Sequence, residues 1–166
     1  MAGSTTTSTA LRAIAAWSKR PRRPWLFPLL PVGLNLAGIT AVAGAQLALR
    51  VAGRNPFPFD TRFAVVVASL TVLPLLGTVV AARERLYGPA AVLAGLAAPA
   101  SLVAAFVVLG AAIYAGSCCA DLPPVAVALL LAAVLFLAAG AMSIVTRQAC
   151  LDALRRSSAD SGIDER

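Results

Sequence analysis

The chain has 166 residues, 60% of them hydrophobic and 13% charged, with a net charge of +7. A soluble domain carries roughly 45–50% apolar and about 25% charged residues, so this composition excludes an ordinary water-soluble fold and points to an integral membrane protein. The length suits one helical bundle without a second soluble domain, and basic residues set beside apolar spans point to anionic lipid headgroups rather than nucleic acid.

Residues 1–24 read as a basic N-terminal segment. Its small polar opening has too little apolar surface to pack, and residues 10–20 predict a short interfacial helix with Leu11, Ile14 and Ala15 on one face. Lys19, Arg20, Arg22 and Arg23 follow, flanked by Trp17 and Trp25. Basic and tryptophan side chains both favour the membrane boundary, so this collar is expected to touch lipid headgroups or a docking partner.

Residues 25–147 read as four apolar spans. The first covers about Leu29 to Leu49, with Pro24, Pro28 and Pro31 before or in its first turn, where a missing N–H costs little. Gly33, Ala37, Ala41 and Ala45 recur every four residues and read as a small-residue ridge, which lets helices approach closely in lipid. Asn35 and Gln46 fall on nearly one face and need partners in hydrocarbon, either another helix or a ligand. The twin arginine Arg22–Arg23 and the Ala-Gly-Ala before Gln46 also resemble a cleaved export signal, but the prolines and the apolar run to Val51 argue for a retained span.

The first connection carries Phe57 and Phe59 alternating with Pro56 and Pro58. It reads as an anchored turn or an outer contact for a partner, and Asp60 or Thr61 suits the cap of the next helix. The second span covers about Phe63 to Ala82 and contains Pro74 between Thr71 and Thr78, whose hydroxyls are placed to satisfy backbone groups the proline frees. A very short turn follows. It predicts an antiparallel hairpin broken at Gly88, with Pro89 in the first turn of the third span. That span covers about Ala90 to Tyr114, with a ridge at Ala97, Ser101 and Ala105 and an interior Pro99.

Cys118 and Cys119 precede the fourth span, Leu122 to Thr146, which is free of charge and long enough to cross roughly 30 Å of hydrocarbon. In it Ala128 and Ala132, then Ala139 and Ser143, continue the small-residue theme. Residues 148–166 read as a polar tail that is at most partly helical.

Arg12, Lys19, Arg20, Arg22, Arg23, Arg83, Arg85, Arg147, Arg155, Arg156 and Arg166 fall on one side of this topology, against Arg50, Arg54 and Arg62 on the other. The positive-inside rule then places both termini in the cytoplasm. Among the 14 basic residues lysine occurs only at position 19, and with abundant alanine this usage suggests a GC-rich prokaryotic source, hence a plasma membrane.

Recognisable chemistry is sparse. Without His the chain lacks the commonest metal and haem ligand. The vicinal Cys118–Cys119 pair has no activating neighbour and no second outer dithiol, so an outward thiol function is only a third reading. Cys150 reads as a buried thiol or an acylation site. No charged residue sits near the centre of a span, where carriers and pumps usually need one, and no nucleotide loop, nucleophile elbow or paired carboxylates occur. The sequence therefore predicts an all-α integral membrane bundle with no enzymatic activity and no cofactor or metal. The leading expectation is an accessory or scaffolding subunit that contacts other membrane subunits or itself. The alternative is an oligomeric transporter or channel for a neutral or apolar molecule, with a path along Asn35, Gln46, Thr71 and kinks at Pro74 and Pro99.

Overall fold

The computed structural model describes residues 27–54, 61–118 and 123–161. Among the described residues are four α-helices and no strand: α1 (Leu29–Val51), α2 (Thr61–Arg83), α3 (Tyr87–Cys118) and α4 (Pro123–Ser161). All four are long and apolar enough to span a membrane. Leucines and valines cover the outside of the bundle as well as its inside, among them Leu36, Leu73, Leu96, Val103 and Leu131. A helix that is hydrophobic all round suits a lipid solvent. The expected all-α, four-span bundle is therefore the observed fold.

Each helix start and stop has a local cause. Pro28 occupies the N-cap position of α1, and Pro31 lies in its first turn. The C-terminus of α1 folds back on itself: Gly53 N–H donates to the Arg50 carbonyl at 3.0 Å and Arg54 N–H to the Leu49 carbonyl at 2.9 Å. Gly53 takes the left-handed conformation this cap requires, with φ 70. The end of α2 repeats the pattern, with Arg85 N–H donating to the Ala82 carbonyl at 3.3 Å and Leu86 N–H to the Ala81 carbonyl at 2.8 Å. Here the left-handed position is filled by Arg85, with φ 62. The chain break therefore falls at Arg85 and not at Gly88, which lies in the first turn of α3 together with Pro89.

The helices are longer than the spans expected from hydropathy. The largest extension is α4, which continues without interruption past Arg147 to Ser161, into the segment expected to be a polar tail. Apolar residues recur along this extension: Cys150 is buried and Leu151 half-buried against the bundle, so tertiary packing holds the helix beyond the apolar run.

Extensive interfaces join α3 to α4, α1 to α4, α2 to α3 and α1 to α2, which is a closed ring of four rods. Two core clusters fix their directions. Ala81 and Ala82 of α2, Ala90 and Ala91 of α3, and Cys150 of α4 pack together at one end. Towards the other end, Ala45 of α1, Val67 of α2, Ala111 and Ala115 of α3, and Val125 of α4 share a second cluster. The rods thus run up, down, up, down, and the start of α1 lies at the same end as the close of α4.

Alanine dominates the contact face of α3, where Ala90, Ala94, Ala97, Ala105 and Ala112 are at most 3% exposed. Small side chains bring backbones together, and dispersion between closely packed atoms replaces the hydrophobic effect that lipid does not supply. Both interior prolines, Pro74 and Pro99, are accommodated within unbroken helices.

Candidate functional site

A polar residue in an apolar span must face inwards or find a partner in lipid. Asn35 does the first and is fully buried. Its Nδ2 donates to the Pro31 carbonyl at 3.0 Å, and its Oδ1 accepts from the Ser101 hydroxyl at 3.2 Å. Asn35 lies on α1 and Ser101 on α3, helices that face each other across the ring, so this bond ties the bundle along its diagonal. Val32 of α1, Val72 and Leu75 of α2, and Ala97 of α3 form the neighbouring core cluster. Interhelical bonding of Asn35 is thus observed, and its partner belongs to the Ala97–Ser101–Ala105 ridge, all three residues of which are buried.

The remaining buried hydroxyls turn back on their own helices. Thr71 donates to the Val67 carbonyl at 2.7 Å, Thr78 to Pro74 at 2.8 Å, Ser143 to Ala139 at 2.8 Å and Thr146 to Met142 at 2.8 Å. None of these acceptors is the Leu70 carbonyl, the group that the missing N–H of Pro74 leaves over, so Thr71 and Thr78 do not play the part the sequence suggested. Among the described residues, no buried side-chain nitrogen or oxygen lacks a hydrogen-bond partner.

The ridge of Gly33, Ala37, Ala41 and Ala45 splits between two environments. Gly33 and Ala37 are exposed, Ala41 is half-buried, and Ala45 is 2% exposed within the core. The cause is geometric. A step of four residues overshoots one turn of 3.6, so the ridge rotates by about 40° per step and by about 120° from its first member to its last. The true packing face of α1 instead runs through Pro31, Asn35, Gly38, Val42 and Ala45, with mixed steps of three and four. The opposite face carries Gly33, Ala37, Thr40, Gly44 and Ala48, all exposed. A Cβ added at Gly33 or Gly44 meets no other atom within 4 Å.

Gln46 is half-buried, three turns from Asn35. Cys118 is the last residue of α3; its side chain and Cys119 lie outside the described residues. So do Trp17, Lys19, Arg20, Arg22, Arg23, Trp25, Phe57 and Phe59. Cys150 is a free thiol, 1% exposed, sealed among alanines, which fits the buried alternative and not acylation. Among the described residues, no group of three or more His, Cys, Asp and Glu side chains is placed to hold a metal ion.

Two close contacts were not anticipated. Phe136 is 1% exposed, and its ring lies directly over Gly38: a Cβ there would sit 3.1–3.3 Å from three ring carbons. Gly140 of α4 is pressed in the same way against Leu102 of α3, at 3.0 Å. The signal for the first pair was present, because Gly38 follows Asn35 by three residues and must share its inward face.

Four helices of this length and apolarity make a multi-pass membrane protein, built as an up-and-down bundle. Comparison with known protein families, characterised proteins and solved structures gives no match.

Proposed function

We propose that this protein is a non-catalytic accessory or scaffolding subunit of a larger assembly in a prokaryotic plasma membrane, with both termini cytoplasmic. The outer face of α1 carries the reading. Gly33, Ala37, Thr40 and Gly44 follow one another at steps of four, three and four, which keeps them on one side of the rod. All are exposed, with open space above both glycines. Paired small residues of this kind let a neighbouring transmembrane helix approach to backbone distance. The bundle has no need of them for its own core, which α1 reaches through its opposite face.

Transport of a neutral solute is the competing function. Its path would have drawn on Asn35, Gln46 and Thr71, and two of these, Asn35 and Thr71, are buried and hydrogen-bonded inside the fold. That commitment favours the subunit reading.

Substituting Ala37→Leu places a bulky side chain on the outer face while leaving the core untouched. The native complex is expected to shrink on blue-native gels while the thermal stability of the isolated protein stays unchanged. A complex of wild-type size in the variant refutes a docking role for this face.

A further inference from the structure

An open groove of about 550 Å³ runs along the bundle between α3 and α4, at the end where α2 turns into α3. Its floor on α3 is made of Gly88, Ala91 and Gly95, and its wall on α4 is made of Arg147, Leu151 and Leu154. These residues keep spacings of three and four on each helix, so the groove is parallel to the helix axes and opens sideways towards lipid. The small floor makes it deep, and the leucines make it apolar.

Arg147 is its one charged lining residue. The side chain lies against α3: a Cβ added at Gly95 would meet Arg147 Cδ at 3.3 Å and Nε at 3.4 Å. Gly95 is eight residues into α3, about 12 Å along the axis from Tyr87. Arg147 also lies one turn nearer the middle of the bundle than Cys150, which is sealed against Ala81, Ala82, Ala90 and Ala91. Arg83 and Arg85, by contrast, stand at the α2–α3 turn itself. Arg147 is therefore an exposed side chain that lies further from this end of the bundle than Arg83, Arg85, Arg155 and Arg156, and no carboxylate lines the groove with it. A cation beside an apolar groove on a membrane-spanning bundle calls for an anionic partner with an apolar part, and a lipid supplies both.

We propose that this groove binds one anionic phospholipid, with the headgroup phosphate drawn to Arg147 and an acyl chain lying over Gly88, Ala91 and Gly95. Arginine suits the role because its planar fork of N–H donors matches a phosphate. Basic clefts between transmembrane helices on the cytoplasmic side are known to collect anionic lipids in this way. The site does not depend on the protein having a partner subunit.

The test is native mass spectrometry of the full-length protein, released from nanodiscs that contain equal amounts of phosphatidylglycerol and phosphatidylcholine. The wild type is expected to retain one phosphatidylglycerol in preference to phosphatidylcholine by about fivefold, the factor that one arginine near the surface contributes. Arg147→Gln, a change at an exposed side chain, is expected to remove the preference while the far-ultraviolet circular dichroism stays that of the wild type. Arg155→Gln, on the extension of α4, retains it. Gly95→Leu fills the slot and lowers retention of both lipids. Equal retention of the two lipids by the wild type overturns the proposal, as does an undiminished preference in Arg147→Gln. Displacement of the lipid by millimolar inorganic phosphate also overturns it, because a free anion would then suffice.

Discussion

Changing Gly38 to alanine isolates the packing on which the bundle rests. The new methyl group would lie 3.1, 3.2 and 3.3 Å from three carbons of the Phe136 ring, inside the roughly 3.5–4.0 Å at which carbon atoms attract best. The ring has little room to yield, being 1% exposed and part of the main core cluster. Overpacking of this kind costs about 1–3 kcal/mol. Replacing a helical glycine by alanine returns about 1 kcal/mol of helix propensity, so the net loss is about 1 kcal/mol. The same change at Gly33 or Gly44 meets empty space and brings only the gain. Reversible unfolding in mixed micelles, followed by far-ultraviolet circular dichroism, gives the three values side by side. Trimming the ring by Phe136→Leu in the Gly38→Ala background should recover part of the loss, which makes the coupling directional. If Gly38→Ala proves as favourable as Gly33→Ala, the close contact between α1 and α4 is not what organises this core.

Two further perturbations address the polar core and the turn. Asn35→Ala and Ser101→Ala should each destabilise by about 1 kcal/mol, and a double-mutant cycle should return a coupling of about 0.6 kcal/mol, the usual worth of an interhelical hydrogen bond in lipid; zero coupling would show that the diagonal bond contributes nothing. Arg85→Gly should stabilise by about 1 kcal/mol, because glycine carries no penalty in the left-handed conformation that Arg85 holds at φ 62, whereas Arg85→Ala should bring no such gain. Equal effects of the two substitutions in the same unfolding assay would contradict the strain argument.

The number and order of the spans were legible because hydrocarbon imposes a length, and four charge-free runs meet it. The inward direction of Asn35 followed from the cost of leaving an amide unpaired in lipid, and the structure supplies Ser101 as its partner. The rest was harder because nearly every residue of these helices is apolar, so hydrophobicity no longer marks the buried face. The four-residue ridge on α1 looks like one surface in the sequence, yet its rotation carries Gly33 outwards and Ala45 inwards. Anchoring the face on Asn35 would have led to Gly38 and so to the space that Phe136 fills. The helical continuation beyond Arg147 was hidden for a different reason. It depends on Cys150 packing against α2 and α3, a tertiary contact with no local signature. In the sequence Arg147 is one of the basic residues that set the orientation, and its place over Gly95 emerges only from the pairing of α3 with α4.

The most direct test of the subunit assignment is the native mass and composition of the protein after gentle extraction from its own membrane. The account predicts a stoichiometric complex with a larger membrane protein, which Ala37→Leu weakens. Recovery as a partner-free homo-oligomer that passes a neutral solute across proteoliposomes would contradict it.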